Sequence, residues 1–254
     1  MVDIHCHILS GLDDGAKTVA DSLAMAEMAI ADGITHVVAT PHSSSEYRFD
    51  FRAAQQEAAD LQRAVGERLK IATGCDFHLN PENLAALKRH AAPFCIHQKD
   101  YLLVEFNEVS IPPAMDQTLY KMQLAGLRTI ITHPERNGII REQPERLEKW
   151  IRTGGYGQVT GGSLTGSFGP RAQQASLAWI ARGLIHFVAS DAHNVTGRPH
   201  KLRAAYDVVS AEFGPEKAEA LFVENPLAAF EGRPLPHVPE IFEEPARKKR
   251  FLFF

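Results

Sequence analysis

The chain has 254 residues, a length at which α/β barrels commonly form a single domain. Hydrophobic residues make up 44% and charged residues 23% of the sequence, a globular composition that argues against disorder. The formal net charge of −4 disfavours nucleic acid as a partner, and no apolar run approaches the roughly 20 residues of a membrane helix. The first residues lack the basic and apolar regions of a secretion signal, and the three cysteines are too scattered for a disulfide framework. We therefore expect a cytoplasmic protein with no stable insertion in a membrane.

Short apolar runs alternate with amphipathic stretches of helical length. The apolar runs predict strands at Val2–Ile8, His36–Thr40, Ile71–Phe77, Tyr101–Phe106, Thr129–Thr132, Gly157–Thr160 and Ile185–Ser190. The amphipathic stretches predict helices at Asp21–Asp32, Phe51–Arg68, Pro113–Leu124, Gln143–Arg152 and Gln173–Arg182. Thr18 and Asp21 have the pattern of a capping box, and Gly33 follows the last turn, so the first helix has recognisable ends. Seven parallel βα units without a linker predict one α/β domain, a closed TIM-like barrel.

The domain boundary is expected near the last of these units. Residues 1–231 would form the barrel, and residues 232–254, which are rich in proline and charge, would form a C-terminal extension. The extension ends in a basic run, Arg247–Arg250, followed by four hydrophobic residues. A loosely held tail is the simpler interpretation, and contact with an acidic membrane surface or a partner is the alternative.

Histidines and acidic residues mark the carboxyl ends of six of the seven predicted strands. His5 and His7 lie two apart on the first strand, so their side chains share a face, whereas Ile4, Cys6 and Ile8 are expected to face the helices. The other strand-end residues are His42, Asp76, Glu105, His133, Asp191 and His193. Barrel enzymes carry their sites at this rim, and converging imidazoles and carboxylates without lysine partners need cations to neutralise them. The pattern predicts a site for manganese, iron or zinc.

The remaining histidines have weaker claims to such a site. His78 shares a face with Asp76 and is an additional candidate ligand. Six others are expected to be structural or surface residues: His36, His90, His97, His186, His200 and His237.

Five motifs together resemble one known family. They are Asp3-Ile4-His5-Cys6-His7-Ile8-Leu9, Gly11-Leu12-Asp13-Asp14-Gly15, Thr40-Pro41-His42, His133-Pro134-Glu135-Arg136 and Ser190-Asp191-Ala192-His193-Asn194. This combination resembles the polymerase-and-histidinol-phosphatase (PHP) superfamily and, within it, the bacterial tyrosine phosphatases of capsule and exopolysaccharide synthesis, the CpsB/YwqE group. The resemblance runs from Val2 to about Asn225. It implies a distorted seven-stranded (β/α)7 barrel with three metal ions, usually manganese; we expect two or three divalent ions, with iron or zinc as alternatives.

Carried over position by position, the resemblance implies nine metal ligands: His5, His7, Asp14, His42, Asp76, Glu105, His133, Asp191 and His193. Asp13 would replace Asp14 only after a register shift, and Glu105 suits a strand end better than Glu108. The family has glutamate where this chain has Asp76. The shorter side chain would lengthen a bridging contact or weaken one metal site, but it keeps the carboxylate.

Two arginines on rim loops are the expected catalytic residues. Arg136 lies three residues after His133, and Arg198 lies five after His193. A guanidinium group can bind phosphate through two parallel hydrogen bonds, and positive groups offset the charge of phosphoryl oxygens during transfer. A surface salt bridge is the simpler interpretation of either arginine alone, and the resemblance, which matches both positions, favours the catalytic one.

A cysteine-based phosphatase mechanism is excluded because it needs the spacing Cys-x5-Arg. The residues six positions after the three cysteines are Leu12, Pro81 and Tyr101. The resemblance instead implies a metal-dependent phosphomonoester hydrolase that acts on phosphotyrosine. Its implied partner is a tyrosine-rich tail of a bacterial kinase that controls polysaccharide export.

Two other functions remain open at this point. A phosphatase for a small metabolite such as histidinol phosphate is disfavoured by the Gly-Leu-Asp-Asp-Gly segment. A metal-bound but inactive regulatory protein that binds a kinase is kept open by Asp76. The uncharged segment Gly154–Pro170, with seven glycines, is equally consistent with a mobile lid, a phosphate cradle or simple loop geometry.

Overall fold

The structure is a computed structural model that describes residues 1–242. The basic and hydrophobic end of the predicted extension lies outside the described residues. Among residues 1–242, no helix has the length and apolarity needed to cross a bilayer.

Nine short strands form the centre of the part of the chain that the structure describes. They are β1 (Val2–Cys6), β2 (His36–Ala39), β3 (His42–Ser43), β4 (Lys70–Thr73), β5 (Asp76–His78), β6 (Tyr101–Glu105), β7 (Arg128–Thr132), β8 (Tyr156–Thr160) and β9 (Phe187–Ala189).

Helices connect the strands and follow the last one. They are α1 (Val19–Ala31), α2 (Phe51–Val65), α3 (Pro81–Arg89), α4 (Ala114–Leu124), α5 (Gly138–Glu142), α6 (Pro144–Arg152), α7 (Gly161–Leu164), α8 (Pro170–Ala181), α9 (Arg203–Phe213), α10 (Pro215–Glu219) and α11 (Asn225–Glu231). A π-helical turn over Ala220–Glu224 joins α10 to α11, and short 3₁₀ turns cover Gly66–Arg68, Ala92–Phe94 and Ile96–Gln98.

All strand pairs are parallel, in the orders β1-β2-β4 and β3-β5-β6-β7-β8-β9. The two sheets are continuous in space, because β2 leads into β3 and β4 leads into β5 after short interruptions. The Gly74 N–H donates to the Ala39 carbonyl (2.9 Å), and the Asp76 N–H donates to the Pro41 carbonyl (3.2 Å). The His7 N–H donates to the Ala192 carbonyl (2.8 Å), which joins the end of β1 to the segment after β9. Seven strand positions result, and the predicted parallel α/β, TIM-barrel-like class is confirmed.

Two apolar clusters lie on the two sides of the strands. The inner cluster takes one face of each of several strands, with members such as Val38, Leu103, Ile130 and Phe187, all fully buried. The outer cluster takes the opposite faces and packs them against the helices. Alternation along each strand produces this division, because successive side chains point to opposite faces.

A bulge in β1 changes one expectation for the inner face. Val2 pairs with His36 but Cys6 pairs with Ala39, so β1 carries one extra residue between Asp3 and Cys6. Ile4 therefore packs in the inner cluster, whereas Cys6 and Ile8 pack in the outer one. The expectation that all three face the helices is wrong for Ile4.

The helix predictions differ from the structure mainly at the ends. The capping box at α1 is present: the Asp21 N–H donates to Thr18 Oγ1 (3.2 Å) and the Thr18 N–H donates to the Asp21 carboxylate (2.9 Å). The predicted helix at Gln173–Arg182 begins earlier, at Pro170, because proline suits the first helical position. The first part of the predicted extension packs on the barrel, where Tyr101 donates to the Arg233 carbonyl (2.8 Å) and the Phe242 N–H donates to the Arg182 carbonyl (3.0 Å).

Candidate active site

The structure brings all nine predicted ligands together at the carboxyl ends of the strands. His5 lies near the end of β1, and His7 and Asp14 lie in the connection to α1. His42, Asp76 and Glu105 belong to β3, β5 and β6, while His133 follows β7 and both Asp191 and His193 follow β9. Their imidazole and carboxylate atoms form overlapping groups whose members lie within 4.8 Å of one another.

The first group combines residues from β1 and from the segments after β7 and β9. It contains His5, His133 and Asp191, all buried. His5 Nε2 lies 3.4 Å from Asp191 Oδ1 and 3.5 Å from Asp76 Oδ2. Asp76 therefore stands next to this group as well as in a neighbouring one.

The second group contains His7, Asp14, His42 and His193. Asp14 Oδ1 lies 3.4 Å from Nε2 of both His42 and His193. Of the two acids in the Asp-Asp pair, Asp14 thus faces the cluster, in agreement with the ligand set that the family resemblance implies.

The third group contains His42, Asp76, His78 and Glu105. His42 Nδ1 lies 3.2 Å from Asp76 Oδ2 and 3.6 Å from Glu105 Oε2, and His78 contacts the same Glu105 oxygen. His78, an additional candidate from the sequence, therefore stands among the predicted ligands. Glu108 lies outside the cluster and lines a neighbouring cavity.

Several buried atoms of these groups lie near one another but form no hydrogen bond of acceptable geometry within residues 1–242. They are both carboxylate oxygens of Asp76, Glu105 Oε2, His42 Nδ1 and His193 Nε2. Unpaired buried polar atoms are costly, and divalent cations satisfy imidazole nitrogens and carboxylate oxygens together. The residues present therefore fit a multinuclear metal site.

Neighbouring polar side chains orient the deepest histidines. Asp13 Oδ2 lies 2.6 Å from His7 Nδ1, and Gln158 Oε1 lies 2.9 Å from His5 Nδ1. Each contact occupies one ring nitrogen and leaves Nε2 facing the cluster, the usual arrangement around metal-binding histidines. Burial acts to lower the pKa of His7, but the Asp13 carboxylate raises it to about 9. Burial likewise acts to raise the pKa of Asp13, yet the His7 charge lowers it to about 2.

Both predicted catalytic arginines contact one carboxylate oxygen. Arg136 Nη1 and Arg198 Nη2 each donate to Asp191 Oδ2, from loops after β7 and β9 respectively. Burial acts to raise the pKa of Asp191, but His5 and then Arg136 hold it well below its usual range. The Arg136 guanidinium also stacks over the Phe168 ring, 4.7 Å from its centroid. Two guanidinium groups therefore stand at the edge of the cluster, where an anion would bind.

A buried network ties the Asp191 loop to β1. Asp3 accepts hydrogen bonds from the Ser190 hydroxyl (2.5 Å) and the Ser190 N–H (3.0 Å), and it lies 2.7 Å from His200 Nε2. The Asp191 N–H in turn donates to the His5 carbonyl (2.8 Å). His200 is thus a buried structural residue, as predicted, and it anchors the loop that carries Asp191.

Local backbone geometry at the site is unusual. His133 (φ 31°) and Asp191 (φ 50°) adopt positive φ angles that non-glycine residues rarely take, and such strain concentrates at functional sites. Gly15 allows the Asp-Asp loop to lie against His7, since a Cβ atom at Gly15 would stand 2.1 Å from the His7 carbonyl oxygen. A larger residue at position 15 would therefore collide with the His7 backbone, which explains the glycine after the Asp-Asp pair.

Three features of the site were missed or misjudged from the sequence. Asp13 and Gln158 orient His7 and His5, and neither role was predicted. The signal for Asp13 was its position next to Asp14, and the signal for Gln158 was a single polar residue in an apolar strand. The segment 154–170 is not one continuous loop, because β8 and α7 occupy most of it. Phe168, in its remaining turn, contacts Arg136.

The cysteines have no part in the site. All three are buried and free. Burial raises the pKa of the Cys95 thiol to about 12 and that of Cys6 well above its ordinary value. Thiols in this state are inert, in agreement with the absence of the Cys-x5-Arg spacing.

A TIM-barrel-like α/β fold with a histidine–carboxylate cluster and arginines at its rim defines a metal-dependent hydrolase. The chain belongs to the CpsB/CapC family of capsular polysaccharide synthesis, whose model matches residues 1–231. This confirms the family predicted from the five motifs.

The similar proteins share most of their length with this chain. Tyrosine-protein phosphatase YwqE of Bacillus subtilis (strain 168) is 40% identical over 220 residues, 85% of this chain and 86% of that protein. The putative tyrosine-protein phosphatase CapC of Staphylococcus aureus is 33% identical over 213 residues, 82% of each chain. A crystal structure from work on B. subtilis YwqE and Streptococcus pneumoniae CpsB, described as unique metal-dependent tyrosine phosphatases, matches with a TM-score of 0.88 and 35% identity, covering 96% of this chain and 100% of that one. A histidinol phosphate phosphatase from Lactococcus lactis, with a TM-score of 0.58 and 14% identity, covers 87% of this chain and 94% of that one and shares the fold.

Proposed function

We propose that this chain is a metal-dependent protein-tyrosine phosphatase. The observation that carries the proposal is the contact of Arg136 and Arg198 with Asp191, in the middle of nine converging histidines and carboxylates. Anion-binding groups and cation-binding groups thus stand side by side, as hydrolysis of a phosphate ester requires. The names of the similar proteins support phosphotyrosine as the substrate.

The proposed ligands are the nine residues of the cluster, with His78 as a tenth candidate beside Glu105. The residues that would hold the metal ions fall into three groups: His5, His133 and Asp191; His7, Asp14, His42 and His193; and His42, Asp76, His78 and Glu105. The ions would be two or three in number and manganese in identity, with iron or zinc as alternatives. Such ions supply a hydroxide nucleophile near neutral pH and offset charge on phosphoryl oxygens.

The residues of the chain would bind and position the phosphate. Arg136 and Arg198 can each donate two hydrogen bonds to phosphoryl oxygens, and Asp191 keeps both guanidinium groups at the rim before substrate arrives. Asp13 and Gln158 hold the His7 and His5 rings in one orientation. A phenol with a pKa of about 10 is a better leaving group than an alkoxide, so phosphotyrosine places a small demand on acid catalysis.

The biological setting follows from the same proposal. The substrate would be a phosphotyrosine segment of a protein, and a bacterial tyrosine kinase that regulates polysaccharide synthesis or export is the proposed partner. A cytoplasmic location is proposed as well, and it is supported by three free cysteines that lie buried in the fold.

A metal-depletion experiment tests the function directly. Purified protein is expected to release phosphate from a phosphotyrosine peptide, to lose that activity after dialysis against EDTA and to regain it when manganese is added. Metal analysis of the untreated protein is expected to find two or three ions per chain. Full activity after removal of all metal would contradict the proposal, and a metal-loaded protein without phosphatase activity would favour the inactive regulatory alternative.

A further inference from the structure

A cavity beside the candidate site is lined by Arg136 and by several side chains that the proposed chemistry does not use. It measures about 570 Å³ and lies between the loop after β7 and the start of α8. Arg136, Arg141, Phe168 and Arg171 line it, together with Glu108. Because Arg136 also contacts Asp191, the cavity lies next to the place where phosphate would bind.

The cavity carries a surplus of positive charge. Arg141 Nη1 donates to the Glu135 carbonyl (2.7 Å), which fixes the side chain at the wall. Within residues 1–242, neither Arg141 nor Arg171 forms a salt bridge, and Glu108 is the one carboxylate among the lining residues. Arg136 is already paired with Asp191, so two guanidinium groups, Arg141 and Arg171, face one carboxylate, and this balance favours an anionic occupant.

Phe168 gives the cavity one aromatic wall and separates it from a second cavity. The second one, about 200 Å³, is lined by Phe168, Arg198 and Lys201. Phosphate bound between Arg136 and Arg198 would therefore lie between two basic depressions. A peptide chain leaving the phosphotyrosine ring would pass over at least one of them.

The α8 helix orients Arg171 toward this rim. Helices in such a barrel run opposite to the strands, so the first turn of α8 lies at the same end as the site. Arg171 is in that first turn and exposed. Arg89, in the last turn of α3, is equally exposed but lies at the opposite end of the barrel.

We propose that the cavity lined by Arg136, Arg141, Phe168 and Arg171 binds an anionic side chain next to the phosphotyrosine of the substrate. The anion is a carboxylate or a second phosphate on the same peptide segment. This inference rests on the proposed phosphatase function and adds a preference among phosphotyrosine sites: segments with acidic or multiply phosphorylated neighbours are favoured over neutral and basic ones. Arg171 acts as a specificity residue that contacts the flanking group and not the reacting phosphate.

The test compares peptides that differ only beside the phosphotyrosine. The flanking residues are Glu, Gln, Lys or phosphoserine, and each peptide is assayed with the manganese-loaded parent and with Arg171→Ala, Arg171→Glu and Arg89→Glu. Ratios of kcat/KM between peptides are used because they do not depend on the fraction of active enzyme. Binding of matched peptides with a non-hydrolysable phosphonate in place of the phosphate, followed by fluorescence anisotropy, gives a readout independent of turnover.

The parent is expected to prefer the Glu peptide over the Gln peptide by about threefold, the range of a single exposed charge pair. The preference should disappear in Arg171→Ala, reverse toward the Lys peptide in Arg171→Glu and persist in Arg89→Glu. It should also weaken at high ionic strength. If kcat/KM relative to the Gln peptide is higher for the phosphoserine peptide than for the Glu peptide, phosphate is the better occupant of the cavity. If the two ratios are equal, a carboxylate binds there as well as a phosphate does.

Equal use of the Glu, Gln and Lys peptides by the parent, or an unchanged preference in Arg171→Glu, would overturn the inference. Failure of the proposed function is distinguishable, because then the parent would hydrolyse none of the phosphotyrosine peptides. A preference that Arg89→Glu abolishes as strongly as Arg171→Glu would show a general charge effect and would also overturn it.

Discussion

Asp13 Oδ2 lies 2.6 Å from Nδ1 of His7, and this contact directs His7 Nε2 toward Asp191 Oδ1, 3.3 Å away. Asp13 Oδ2 also accepts a hydrogen bond from the His42 N–H (3.0 Å). The Asp13 side chain therefore positions two proposed ligands, His7 and His42. Asp13 thus supports the cluster without facing its centre, while Asp14 enters it.

Replacing Asp13 with asparagine is expected to weaken metal binding without removing a proposed ligand. Loss of a carboxylate that orients a metal-binding histidine typically lowers metal affinity by about 10- to 100-fold. Competition with a metal-sensitive dye measures the change. Asp207→Asn, at an exposed position of α9, is the matched control, and an Asp13→Asn variant with parental affinity would show that the contact is dispensable.

Replacing Arg198 with alanine is expected to reduce kcat by about 100-fold or more, as the loss of a donor to a transition-state oxyanion does. The metal content should stay normal, because Arg198 offers no ligand atom. Steady-state kinetics and metal analysis of the same sample check both points, with Arg89→Ala as the control. If Arg198→Ala keeps the kcat of the parent, the prediction is wrong and Arg198 has no catalytic role.

Asp76 is buried between two of the ligand groups, and its side chain is one methylene shorter than the glutamate that the resemblance implies at this position. Asp76→Ala is expected to abolish activity and to lower the metal content. Asp76→Glu, which lengthens the side chain to the one that the resemblance implies, is expected to raise metal affinity. Titration of the metal-free proteins measures both effects. An Asp76→Ala variant with full activity would remove this residue from the proposed ligand set.

His186 makes stability depend on pH at a place remote from the proposed ligands. It is buried next to Gly157, and burial lowers its pKa from 6.5 to about 4. Below about pH 6.5 the His186 side chain binds a proton in the unfolded chain but not in the folded one. The free energy of unfolding therefore decreases as the pH falls from about 6.5 toward 4. The loss from this group is about 3 kcal/mol in total.

Urea unfolding at several pH values checks the His186 effect. The His186→Gln variant is expected to lose less unfolding free energy between pH 6.5 and pH 4 than the parent does. His90→Gln, at an exposed position, is expected to follow the parent. Equal slopes for the parent and His186→Gln would show that the histidine is not held neutral.

The order of strands and most ligand positions could be predicted from the sequence because alternation and strand ends carry strong local signals. His42 and Asp76 fall at strand ends in the sequence, but in the structure they begin β3 and β5 after short interruptions. Such interruptions depend on contacts between strands, for example the hydrogen bond from Gly74 to Ala39, which no local pattern reveals.

Other features depend on residues distant in sequence. The bulge that moves Ile4 to the inner cluster arises from the register between β1 and β2. Gln158 meets His5 across 153 residues, and Asp3 meets His200 across 197. Arg141 and Arg171 carry no motif of their own, and only the fold places them around the same cavity.

The most direct test of the account compares kcat/KM for a phosphotyrosine peptide, the matching phosphoserine peptide and histidinol phosphate under saturating manganese. We expect the phosphotyrosine peptide to be hydrolysed fastest, because the phenolate leaves easily and the rim is open between Arg136 and Arg198. A higher kcat/KM for histidinol phosphate than for the phosphotyrosine peptide would contradict the account and would favour a phosphatase for a small metabolite.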